Sequence, residues 1–152
     1  MKDLTNKDIN DVLFKNSVTK RYYIGTFPAC LFPIIKSGKV AFITNTDEHD
    51  KAGEHWNAWI VDGNVLTFFD SFGRSPLDET LPKQYHEFTN CFKNVQYVNS
   101  RIQGWESNMC GYFCIHFIYI LSLNLEVKHF LSDYTKNFDF NDKIVANILN
   151  SF

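Results

Sequence analysis

No apolar stretch in this 152-residue sequence is long enough to span a bilayer as a helix. The longest, residues 109–123, falls short of the ~20 residues a spanning helix needs and is broken by His116. The opening MKDLTNKDIND is polar and charged, so no signal peptide is expected. Neither charge dominates: 15 Lys and Arg against 17 Asp and Glu leave a net charge of −2. That excludes the broad basic footprint of a nucleic-acid binder. Repeats, low-complexity tracts and linkers are absent, so one domain over residues 1–152 is expected. Cysteines are few: Cys30, Cys91, Cys110 and Cys114. In a chain that is 45% apolar, with 15 Phe, a disulfide scaffold is unnecessary, and they read as thiols of a reducing compartment. The spacing Cys110-x₃-Cys114-x-His116 lacks the distant second pair of a zinc site, so no metal is expected.

What is present reads as helix, then strands, then helices, an α+β order. Thr5-Asn-Lys-Asp8 is a helix-capping start. Residues 22–24 look extended up to Gly25. Residues 40–45, 56–61, 65–69 and 95–99 are short runs rich in β-branched and aromatic residues, and so strands. Residues 46–53 form a charged loop and residues 74–82 a loop with two prolines. Residues 85–90, 127–138 and 142–152 suit helices with polar faces. Residues 109–125 are apolar nearly all round, the mark of a buried helix.

Asp62-Gly63 between two such runs signals a hairpin. A two-residue Asp62-Gly63 loop places Trp59 opposite Leu66 and His55 opposite Asp70. Opposed residues share a face with Cβ atoms ~4.5–5.5 Å apart. A slip of two residues, to a Gly63-Asn64 loop, keeps both on one face. Both faces of the hairpin are otherwise apolar, so it belongs in the centre of the sheet. Counting alone thus joins a histidine to a carboxylate that can hold one ring nitrogen. The bland reading is a chance pairing at a strand end. His49 falls in a charged loop, and His86 and His129 in polar helical stretches. His116, six residues past Cys110, is turned about 240° away and reads as a core or interface histidine.

Cys114, one turn inside the buried helix, reads as a small hydrophobe. Cys110 differs. With Ser107-Asn108 as a cap it falls in the first turn, where backbone N–H groups lack helical partners. The positive end of a helix favours a thiolate. Gly111 carries no Cβ and opens the backbone to a substrate carbonyl. Gln103 offers a further donor to an oxyanion. The competing readings are a core thiol for Cys110 and a turn-stabilising amide for Gln103.

His55-Trp56, Phe69-Asp70-Ser-Phe-Gly73 and Gln103-x₆-Cys110-Gly111 occur in an order that resembles the adenovirus-type maturation cysteine proteases (adenain-like). Tyr23-Ile-Gly-Thr26, Phe42-Ile-Thr-Asn-Thr46, Ser107-Asn108 and Gly111-Tyr-Phe-Cys114 extend the likeness over about residues 20–120. SUMO-specific proteases share the same order of motifs. The resemblance implies a central mixed sheet flanked by helices, on a circularly permuted papain-like fold. It implies Cys110 as nucleophile, His55 as base and acid, Asp70 as orienting acid, and Gln103 with the backbone of Cys110 and Gly111 as oxyanion hole. Trp56 and Trp105 would shape the substrate groove.

The adenovirus enzymes are stimulated by DNA and by a short viral peptide that forms a disulfide with an enzyme cysteine. The slightly negative charge here argues against DNA. Cys91 lies near the peptide-linked cysteine, which implies an activating viral peptide there; a surface thiol is the alternative. The leading expectation is an endopeptidase that cuts viral precursor proteins during virion maturation, in the host nucleus or cytoplasm and in the virion. An isopeptidase for ubiquitin-like modifiers shares the same catalytic set, and a non-catalytic binding module shares the fold.

Overall fold

Among the described residues five strands form one sheet, and the third runs against the other four, which makes the sheet mixed. The structure is a computed structural model that describes residues 2–47 and 55–152. Its strands are β1 (Tyr23–Pro28), β2 (Lys39–Asn45), β3 (Trp56–Asp62), β4 (Val65–Phe69) and β5 (Asn94–Tyr97). They lie in sequential order, with β1–β2 and β4–β5 parallel and β2–β3–β4 antiparallel. The helices are α1 (Asn6–Lys15), α2 (Lys83–Thr89), α3 (Cys110–Ser122), α4 (Val127–Leu131) and α5 (Phe138–Leu149). This is the expected α+β architecture with the hairpin at the centre of the sheet.

Period-two alternation sends neighbouring residues to two different cores. Ala41, Ile43, Ala58, Ile60 and Phe69 face α1, α3, α4 and α5. Phe42, Trp59, Val61, Leu66 and Phe68 face α2 and the chain after β1. Helix α3 is buried on nearly all sides, as its unbroken apolar composition requires. Helix α1 carries the expected capping box, with Thr5 accepting from the Asp8 N–H and Asp8 accepting from the Thr5 N–H.

Several boundaries differ from the sequence reading. Strand β1 runs on past Gly25, whose φ of 132° absorbs a register shift between Tyr23 and Thr26. The hairpin pairs Asp62 with Val65 and Ala58 with Phe69, so its loop is Gly63-Asn64 rather than Asp62-Gly63. Gly63, at φ 62°, supplies the positive φ that the turn needs. Helix α3 stops at Ser122 because Asn124 turns left-handed and Lys39 donates to the Leu121 carbonyl. The pattern over residues 127–138 is interrupted after Leu131. There the Asn141 side chain accepts from the Thr135 N–H, and Asn137 caps α5, which begins at Phe138 rather than Asp142. Most of the charged loop, with His49, lies outside the described residues. No helix among the described residues is long and apolar enough to cross a membrane.

Candidate active site

Antiparallel pairing brings the start of β3 and the end of β4 to the same edge of the sheet. His55 precedes β3, and its carbonyl is tied to the Thr46 N–H at the end of β2 (3.0 Å). Asp70 follows β4 and is fully buried. The His55 Nε2 donates to Asp70 Oδ1 at 2.6 Å. The two-residue slip makes them diagonal rather than opposed neighbours, and continuing the register puts Asn57 opposite Asp70. The Asn57 amide donates to Asp70 Oδ1 at 2.9 Å. Arg74 closes the other side, with its Nε 2.7 Å and its backbone N 3.2 Å from Oδ2. Neither Asn57 nor Arg74 stood out in the sequence. A lone asparagine in an apolar strand, two residues past His55 and so on its face, was the available signal; for Arg74 it was the four-residue spacing from Asp70.

Burial opposes the charged form of both partners, and their pairing reverses that effect. Desolvation pushes the His55 pKa down, but Asp70 and then Cys110 raise it to about 9. Burial likewise pushes the Asp70 carboxyl up, and His55 and Arg74 bring it well below the usual carboxylate range. With Nε2 on Asp70, Nδ1 is the ring nitrogen left for Cys110, whose side chain helps to raise the His55 pKa. Phe72 stacks on the ring, 4.9 Å between centroids and 17° from parallel.

Cys110 is the first residue of α3, as the helix-start argument required. The cap differs: the N-cap is Met109, without a side-chain bond, because the Ser107 hydroxyl accepts from the Met109 N–H and donates to Asp142. The N–H groups of Cys110, Gly111 and Tyr112 precede the helical ladder and are available as donors. The missing Cβ of Gly111 serves close packing here. A methyl there would meet Leu4 and Trp56 at 3.3 Å. Trp56 is braced in turn by its indole N–H on the Leu4 carbonyl (3.1 Å). Cys114 is buried, its thiol donating to the Trp56 carbonyl (3.3 Å), and burial pushes its pKa up. It is the small hydrophobe the sequence implied.

Gln103 is buried and held at both ends of its amide. Its Oε1 accepts from the Ser71 hydroxyl and its Nε2 donates to the Ser107 carbonyl at 2.8 Å, which leaves one amide hydrogen for a ligand. The Ser71 carbonyl also accepts from the N–H groups of Ile102 and Gln103, so the residue after Asp70 positions Gln103. One cleft is lined by His55, Trp56, Gln103, Trp105 and Cys110. Trp105, 68% exposed, stands at its rim against Phe72 (4.7 Å) and under the Arg101 guanidinium (3.7 Å). Cys91 lies apart, exposed at the end of α2. His116 is buried on the far side of α3 and bonds Tyr134.

The fold resembles that of the ASFV pS273R protease. Two crystal structures of that protein match at 17% identity, with TM-scores of 0.58 (the selenomethionine form) and 0.59. Each match covers 95% of this chain but only 67% and 66% of the other, so this chain spans about two thirds of its neighbour's length. SUMO protease Ulp1 gives a TM-score of 0.40 at 15% identity over 74% of this chain and 53% of its own, a score too low to bear on the fold. Neither a protein-family model nor a curated protein sequence matches the chain.

Proposed function

We propose that this chain is a cysteine endopeptidase of adenain-like type that cuts viral precursor proteins as virus particles mature. The observation that carries the reading is the His55–Asp70 pair at the strand ends, lining one cleft with Cys110 at the first residue of α3. Similarity in fold to the ASFV pS273R protease supports it. In this reading His55 takes the proton of the Cys110 thiol, and the Cys110 sulfur attacks the scissile carbonyl. The oxyanion is met by the Gln103 amide and the first N–H groups of α3. Protonated His55 delivers its proton to the leaving amine, and water then clears the thioester. Trp56 and Trp105 border the groove for the polypeptide. The reading extends to an activating viral peptide joined through exposed Cys91, with no part for DNA, and to action in the infected cell and the virion.

Purified protein is expected to hydrolyse Gly-x-Gly-type peptides and candidate capsid precursors, each assayed with and without added precursor peptides. Cys110→Ala should lower kcat/KM by about a thousandfold or more. Turnover near the parent rate in Cys110→Ala would sink the assignment. Labelling by vinyl-sulfone probes of SUMO or ubiquitin, with capsid precursors left uncut, would move the substrate class to ubiquitin-like modifiers.

A further inference from the structure

Four buried polar side chains behind Asp70 form a chain in which every hydrogen bond points the same way. The Trp59 indole N–H donates to Thr44 Oγ1 (2.9 Å). The Thr44 hydroxyl donates to the Tyr85 oxygen (2.7 Å). The Tyr85 hydroxyl donates to Asn57 Oδ1 (2.8 Å). The Asn57 amide donates to Asp70 Oδ1 (2.9 Å) and to the Phe69 carbonyl (3.3 Å). Trp59, Thr44, Tyr85, Asn57 and Asp70 are all fully buried, so no water competes for these groups.

The direction is set by the two ends. An indole nitrogen only donates, and an ionised carboxylate only accepts. Between them, Thr44 and Tyr85 each have one proton to give, and it must go toward Asp70. Oδ1 of Asn57 is thereby turned to Tyr85 and its NH₂ to Asp70. A flipped amide would set Oδ1 against two acceptors, Asp70 and the Phe69 carbonyl. The amide also has a competitor to oppose. Arg74 grips Oδ2 with two N–H groups and reaches Oδ1 at 3.3 Å, which draws the carboxylate away from His55.

We infer that Asn57 is a positioning residue for Asp70, its amide locked by the one-way chain from Trp59 so that Oδ1 stays on His55 against the pull of Arg74. The inference rests on the cysteine-protease reading above. Thr44 tests it from a distance, since it is directly opposite Asn57 in the β2–β3 ladder and touches none of the reacting groups. Thr44→Val keeps the β-branched shape and removes the hydroxyl; Thr44→Ser restores the hydroxyl. Two readouts are needed: kcat and KM on a cleavable peptide across pH, and the NMR titration of the His55 ring, which requires no turnover.

Thr44→Val should lower kcat about tenfold with little change in KM, and should lower the His55 titration midpoint. Thr44→Ser should stay within about twofold of the parent on both readouts. If Thr44→Val folds poorly, Tyr85→Phe removes the last hydroxyl of the chain and carries the same expectation. Parent-like kcat and titration in the hydroxyl-free variant would overturn the inference. So would equal loss in Thr44→Val and Thr44→Ser, or a fall in kcat with the His55 midpoint unmoved. A parent protein that cleaves nothing would defeat the protease reading alone, because the His55 titration still decides the role of Asn57.

Discussion

Asp70 accepts from three side chains at once, and only one of them, His55, stands where a proton would move. The carboxylate acts on the imidazole first through that hydrogen bond and then through its charge. Burial alone would drive the His55 pKa down, and Asp70 is the largest influence raising it to about 9. Asp70→Asn removes that influence and leaves the burial. The alkaline limb of kcat/KM, expected near pH 9 in the parent, should move to lower pH. On the protease reading the rate itself should fall by about 10²–10⁴. A pH–rate series on one peptide checks both, and an unmoved alkaline limb would show that Asp70 does not set the His55 proton.

Among the elements, the short turn after β4 governs the site more than any helix does. The Gly73 N–H closes the turn on the Asp70 carbonyl at 2.8 Å, and Gly73 takes φ 80°. A Cβ there would lie 2.9 Å from the backbone of Ser100 and Arg101, which cannot move aside as a flexible side chain could. The same turn carries Ser71, which secures Gln103. Gly73→Ala should thus cost roughly 2 kcal/mol or more of stability through strain and overlap together. On the protease reading it should also weaken catalysis by displacing the Gln103 amide. Chemical denaturation measures the first effect and kcat the second. A variant as stable as the parent would mean that the 100–101 segment gives way.

Across the whole molecule, three buried titrating groups set the pH of greatest stability. His55, raised to about 9, contributes stability that is fully present below its ordinary 6.5 and is lost as pH rises through 9. His116 runs the other way. Burial lowers its pKa to about 4, so its contribution is present above 6.5 and is lost as pH falls toward 4. Asp133 stands 3.6 Å from its Nε2, but that carboxylate is 44% exposed to water, and the desolvation of the ring prevails. Asp70, held well below its ordinary 3.8, adds a further loss on acidification past that value. The urea midpoint should peak near pH 6.5 and decline on both sides. His116→Gln should flatten the acid side between pH 6.5 and 4, and an acid side left unchanged would rule out His116 as its source.

The sequence by itself determined what depends on local periodicity and counting: the strands at 40–45, 56–61 and 65–69, the buried helix, and the place of Cys110 at its start with Cys114 one turn inside. Period two put His55 and Asp70 on one face whichever of two loops closed the hairpin, so their pairing survived the shift to Gly63-Asn64. Only the tertiary structure decided which residue stands opposite Asp70, because a slip of two residues preserves every face while replacing every partner. It decided that Gly111 makes room for Leu4 and Trp56, and that Ser71 and Ser107 fasten the Gln103 amide. Ser71 and Gln103 are 32 residues apart and Leu4 and Gly111 are 107 apart, so no pattern within one segment encodes those two contacts, although Ser107 lies only four residues from Gln103.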